Sequence, residues 1–160
     1  MTKNEIHQRF VEQLDAELQA ITAAAKETFA TATNAEHHAK SKYETFSLES
    51  SYLARGQAKR VEELKTSLER LQMLPLKAMD NTTPIQLGAL VRLEADDGKT
   101  RTLFFGPAAG GETITADDEQ IMILTASSPL GRAIVGKTAG HTFNISLAGE
   151  AHRFTITSVE

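Results

Sequence analysis

No proline and no glycine interrupts residues 1–55, and this constrains the fold more than any other feature of the chain. Within that stretch Ile6, Phe10, Leu14, Leu18, Ile21, Ala25 and Phe29 recur at spacings of three or four, with Glu, Gln, Lys and Asp between them. Such a period places the apolar groups on one face of a helix. A second run, Leu48, Tyr52, Val61, Leu64, Leu68 and Leu71, continues to Pro75 and contains only Gly56 as a weak point. Two helices joined by a short polar stretch form an antiparallel hairpin. Each of about 30 residues would reach ~45 Å at the helical rise per residue. So long a hairpin buries one narrow seam and carries its tip away from any core.

The period then changes. Residues 75–87, PLKAMDNTTPIQL, hold Pro75, Pro84 and the polar cluster Asp80-Asn81-Thr82-Thr83, and read as a linker. Beyond it the alternation is two. Segments 89–95, 101–106, 120–125, 141–147 and 152–159 read as strands. Val91/Leu93, Ile121/Ile123, Phe143/Ile145 and Phe154/Ile156 are the expected inward pairs, and Asp97-Gly98, Gly110-Gly111 and Ala148-Gly149 the turns. Between the third and fourth of these strands lies Ser128-Pro129-Leu130-Gly131-Arg132-Ala133-Ile134-Val135-Gly136-Lys137. Ser128 suits an N-cap, Pro129 the first helical position and Gly136 a left-handed stop, so one short helix is expected here. The fold class is therefore α+β. A helical hairpin spans 1–74, a linker 75–87, and a small antiparallel β domain with one short helix 88–160.

Composition narrows the function. Of 160 residues 41% are hydrophobic and 24% charged, the balance of a folded chain. No run of about 18 apolar residues offers a membrane span, and the polar start Met-Thr-Lys-Asn-Glu lacks a signal-peptide core. Zero cysteines remove disulfides, thiolate catalysis and Cys-ligated zinc, so a reducing, cytoplasmic location is expected. The net charge of −4, with no Trp and only Tyr43 and Tyr52, argues against direct nucleic-acid binding. Contacts should run through a protein partner.

Candidate chemistry is sparse. The loop Gly106-Pro107-Ala108-Ala109-Gly110-Gly111 lacks the Gly-Lys-Ser/Thr ending of a phosphate loop, and nothing orders a Ser/His/Asp triad. His37 and His38 are adjacent, about 100° apart on a helix, and so form no two-ligand face. Asp117-Asp118-Glu119 reads as a solvated turn rather than a cation site. Glu44, close to the expected hairpin turn, could supply oxygen to a Mg²⁺ held elsewhere, with Glu36 as a second acid. The other reading of Glu44 is an exposed surface glutamate.

The run SPLGRAIVGK (residues 128–137) resembles the S-P-[IL]-x-R-A-[IL]-[ILV]-G-K motif of the bacterial Gre transcript-cleavage factors. Gly88-Ala89-Leu90-Val91 is similar to that family's G-A-x-V entry strand, Arg60 to Leu64 to its R-[IV]-x-x-L, and the final Ile156 to Glu160 to its closing I-x-x-V-E. The resemblance implies an FKBP-like C-terminal domain that docks at the rim of the RNA polymerase secondary channel and a coiled coil that enters the channel. It implies a docking face with Ser128, Pro129, Leu130, Gly131, Arg132 and Lys137; Leu130 and Ile134 could equally pack the helix on the sheet. The family's cleavage-competent members carry an Asp and a Glu three residues later at the tip. Here the register set by the second helix puts these at Lys40 or Ser41 and at Tyr43 or Glu44, and a register on Asn34-Ala35-Glu36 puts them at Ala30 and Thr33. Neither keeps the pair.

The expectation is thus an RNA-polymerase-binding regulator with weak or no cleavage stimulation, and not an enzyme in itself. It would have no cofactor or metal of its own and would act, at most, on the Mg²⁺ of the polymerase. Two alternatives remain: a true cleavage stimulator using Glu44 with Glu36 or Glu49, and a stand-alone coiled-coil interaction protein. A prolyl isomerase finds no aromatic-rich pocket in these strands.

Overall fold

The computed structural model describes the backbone of residues 1–37 and 41–160 and the side chains of 1–24, 26, 27 and 55–160. Helix α1 (Lys3–His37) and helix α2 (Ser41–Gln72) follow from the uninterrupted helical period. A sheet of six strands follows: β1 (Leu90–Ala95), β2 (Thr100–Phe105), β3 (Thr113–Ala116), β4 (Glu119–Leu124), β5 (Thr142–Leu147) and β6 (Glu150–Val159). The short helix α3 (Pro129–Ile134) lies between β4 and β5. The α+β class is therefore as expected.

The chain divides into two compact units, Met1–Val11 with Glu69–Glu160, and Glu12–Leu68. In the second unit Leu14, Leu64 and Leu68 are buried, as their spacing predicts, and Arg60 pairs with Glu17 at 3.1 Å. In the first unit the start of α1 and the end of α2 belong with the sheet. His7 Nε2 lies 2.8 Å from the Leu71 carbonyl, Arg9 donates to the Thr115 carbonyl at 2.7 Å, and Lys3 Nζ donates to the Lys77 carbonyl at 2.7 Å. The rings of His7 and Phe10 both lie 5.9 Å from that of Phe104.

The sheet order is β3-β4-β2-β1-β6-β5. It differs from the expected antiparallel sheet in one place, because β2 and β4 run parallel, with Thr102 beside Ile121 and Phe105 beside Leu124. The cause is β3, a four-residue strand absent from the sequence reading. The chain leaves β2 through residues 106–112, passes over the end of β4, and runs back as β3 at the edge. The tight turn at Asp117 and Asp118, both with positive φ, then starts β4 in the direction of β2.

Over β2 and β4 both faces of this sheet are covered. Val91, Leu93, Leu103, Phe105, Leu124, Phe154 and Ile156 join Leu130 and Ile134 of α3 in one core. The alternate residues Phe104, Ile121 and Ile123 are also buried, on the opposite face, where Phe104 meets α1. Ile121/Ile123 therefore do not share a face with Val91/Leu93, as the four inward pairs had implied. A bulge in the β1–β6 pairing, where Arg92 opposes Ser158 but Leu93 opposes Ile156, shifts the alternation of β6. That shift brings Ile156 and Val159, three apart, into the same core.

Residues 75–87 form a strap bound to the sheet unit. Ile85 is in the core; its N–H donates to the Lys137 carbonyl and its carbonyl accepts from Gly136. Asn81 Oδ1 accepts from the Val159 N–H at 3.0 Å. Asp80 Oδ1 accepts from the Thr82 hydroxyl at 2.7 Å, the Thr82 N–H at 2.8 Å and the Thr83 hydroxyl at 3.2 Å. These bonds, the Thr82 hydroxyl first, hold the Asp80 carboxyl below the usual range.

Candidate functional site

Helix α3 is built as its sequence dictates. Ser128 has extended backbone geometry and caps the helix, its Oγ accepting from the Gly131 N–H at 3.0 Å. The same hydroxyl donates to the Thr125 carbonyl at 2.8 Å, so Ser128 also fastens the helix to the end of β4. Pro129 opens the helix without leaving an N–H to satisfy. Gly136 follows with φ of +78°, the left-handed stop expected of it. Removal of the cap by Ser128→Ala should cost about 1 kcal/mol, read as a lowered urea midpoint with an unchanged slope.

The six residues of the expected docking face take three different places. Leu130 and Gly131 are buried, and Leu130 packs in the core beside Ile134. A methyl group on Gly131 would lie 1.9 Å from the Thr125 carbonyl oxygen, so helix and strand end meet here without space for a side chain. Ser128 is half-buried and engaged in its cap, and Lys137 is half-buried where its carbonyl holds the strap. Pro129 and Arg132 face solvent. One guanidinium N–H of Arg132 donates to the Ser127 carbonyl, which steadies the cation over the start of the helix. Sequence reasoning missed this contact and the exposed Val135 that ends the helix.

The other candidates resolve separately. Glu36 and Glu44 lie in α1 and α2, but their side chains fall outside the described residues, as do those of His37, His38 and Glu49. Within the acidic cluster, Asp117 accepts from the Met1 ammonium, which keeps its carboxyl below the ordinary range. Glu119 turns across the sheet, accepting from the buried Thr102 hydroxyl and from Arg92 at 3.0 Å. Its role is to pair three strands on the face toward α1. Among the described residues no group of three or more His, Cys, Asp or Glu could hold a metal ion. The loop 106–111 packs against β4, with Gly106 donating to the Leu124 carbonyl and Gly111 to that of Ile123.

Comparison with known proteins gives this geometry a context. No family model matches the chain. The transcription elongation factor GreA of Bradyrhizobium diazoefficiens is 32% identical over 101 residues, covering 63% of this chain and 60% of that protein. Over these residues the chain is similar to a Gre-type transcription elongation factor. GreA of Bartonella tribocorum is a second Gre-type relative, 25% identical over 104 residues, again with 63% of this chain and 60% of that protein covered. The matches thus span less than two thirds of these curated relatives. Gfh1 of Thermus thermophilus, a GreA factor homolog, aligns with 94% of each chain at 21% identity and a TM-score of 0.39, which carries no argument. Among the described residues no helix is long and apolar enough to cross a membrane.

Proposed function

We propose that this chain binds core RNA polymerase as a Gre-like regulator of transcription elongation, in the cytoplasm, with α3 as its anchor. The observation that carries the reading is the outer side of α3. Its inner residues Leu130, Gly131 and Ile134 are spent on packing, while Pro129 and a braced Arg132 remain free to meet a partner. A guanidinium held in place by its own chain loses less freedom when it pairs with a carboxylate. The likeness to proteins named transcription elongation factors supports a partner in the transcription machinery. In this reading the sheet unit docks at the rim of the secondary channel and the hairpin enters the channel. The chain brings no metal of its own; its tip faces the Mg²⁺ of the polymerase.

Transcript cleavage is weak or absent in this proposal, because neither register of the tip sequence keeps an Asp and a Glu three residues apart. Water activation at a shared Mg²⁺ calls for convergent carboxylates. Two measurements test the proposal together. Arg132→Glu should weaken binding to core polymerase about tenfold or more, as expected for reversing a charge-assisted contact. Backtracked elongation complexes incubated with the wild-type chain should show no RNA shortening. Shortening that disappears in Glu44→Ala would establish a cleavage stimulator instead. Failure to co-purify with core polymerase would leave the stand-alone interaction protein.

A further inference from the structure

The two edges of the sheet, β3 and β5, differ. Strand β3 has only four residues, and its outward Thr115 carbonyl already accepts from Arg9 at 2.7 Å. Strand β5 is longer, and its turn fixes which of its backbone groups point outward. Ala148 and Gly149, with φ of +52° and +80°, close a two-residue hairpin between Leu147 and Glu150. The pair flanking such a turn exchanges both hydrogen bonds, and so does every second pair, here Ile145 with His152 and Phe143 with Phe154. The same parity continues past the strand, where the Ile156 N–H donates to the His141 carbonyl and its carbonyl accepts from the Gly140 N–H. Thr142, Asn144 and Ser146 therefore turn their N–H and C=O away from β6. The usual protections of an open edge are missing. Strand β5 reads Thr-Phe-Asn-Ile-Ser-Leu without Pro, its pairing with β6 runs without a bulge, and residues 138–149 hold no Asp, Glu, Lys or Arg.

This edge is complementary to itself. Antiparallel pairing centred on Asn144 sets Asn144 opposite its own copy and Thr142 opposite Ser146, so every outward N–H meets an outward carbonyl. Opposed residues then share a face on both copies. The exposed Thr142, Asn144 and Ser146 form one polar row, as Thr142 already does with Thr155 across the inner ladder, where the hydroxyls lie 3.0 Å apart. On the other face the half-buried Phe143 and Ile145, which pack against the core, stand opposite each other. A slip of one residue would set Asn144 against Ile145 and mix the two rows. Charge does not oppose the pairing. The nearest cation on the polar row is Arg153, which opposes Asn144 from β6. The two copies of Arg153 would stand about 14 Å apart, three strand spacings, beyond the screening length at physiological salt. An uncharged strand has nothing with which to select an acidic or a basic partner, and the pattern that matches both of its faces is its own.

We propose that β5 pairs antiparallel with β5 of a second copy of this chain, with Asn144 on the two-fold axis, joining the two sheets edge to edge. Sedimentation and light scattering of the full chain test it. The mass should rise from that of one chain toward that of two between micromolar and millimolar concentration. Asn144→Lys and Asn144→Asp each set like charges directly opposite one another, at an exposed position. Each should raise the dissociation constant about fivefold or more, with unchanged circular dichroism. Mixed in equal amounts, the two variants should regain at least wild-type affinity, because each Lys then faces an Asp. Thr115→Lys, on the opposite edge, should dimerise as wild type. A wild-type chain that stays monomeric, or Asn144 variants that associate as wild type does, would overturn the proposal. Association lost in both variants and not regained in their mixture would overturn the register centred on Asn144.

Discussion

Phe104→Ala is expected to destabilise the sheet unit by about 3–5 kcal/mol. The ring is fully buried on the face of the sheet that α1 covers, with the rings of Phe10 and His7 both 5.9 Å away. Truncation removes the transfer energy of the ring and leaves a void that two flanking strands and a helix cannot collapse to fill. Phe104 opposes Leu90 of β1 and lies beside Ile123 of β4, so the void opens at the parallel junction of β2 and β4. The start of α1 should lose its seat before the α3 face changes. Hydrogen exchange is the discriminating measurement. Faster exchange at residues 5–11 with α3 amides still protected is the expected pattern, whereas uniform loss of protection would show that the two faces do not respond separately. Phe104→Leu, which keeps most of the volume, should recover the larger part of the stability.

That buried ring also marks where sequence reasoning stops. The helices were legible because a period of three to four persists for long stretches, and Ile6, Phe10, Leu14, Leu64, Leu68 and Leu71 are buried as it requires. Strand β2 reads Thr-Arg-Thr-Leu-Phe-Phe, and its last four residues are all buried. A continuous apolar end is the mark of a strand covered on both faces, and assigning each strand a single inward side conceals the second layer. Strand β3, Thr113–Ala116, is too short and too weakly apolar to show an alternation, and without it the parallel pairing of β2 with β4 has no local signal. Hairpin turns announce only neighbours in sequence.

The site was legible in its local grammar and less so in its division of labour. Ser128, Pro129 and Gly136 act as their residue types predict. Which motif residues face outward depends on the approach of α3 to Thr125, a tertiary fact with no sequence period.

Gly131→Ala is expected to have the second large effect, and it reaches function as well as stability. The added methyl group would lie 1.9 Å from the Thr125 carbonyl oxygen and 2.9 Å from Ser128 Oγ. The first obstacle is backbone at the end of β4, so relief requires α3 to lift from the sheet rather than a side chain to turn. Overpacking of this kind costs about 1–3 kcal/mol, and the lift also strains the Ser128 bonds to Gly131 and Thr125. Leu130 and Ile134 would lose part of their burial, and Arg132 its brace on Ser127. Binding to core polymerase should therefore fall more than in Ser128→Ala, at temperatures where circular dichroism shows the chain still folded. Gly136→Ala supplies the contrast. Its φ of +78° strains a side chain by about 1–2 kcal/mol, but nothing lies within 4 Å of the new methyl, so α3 stays seated. Equal polymerase affinity in the Gly131 and Gly136 variants would mean that the seating of α3 does not set the docking face.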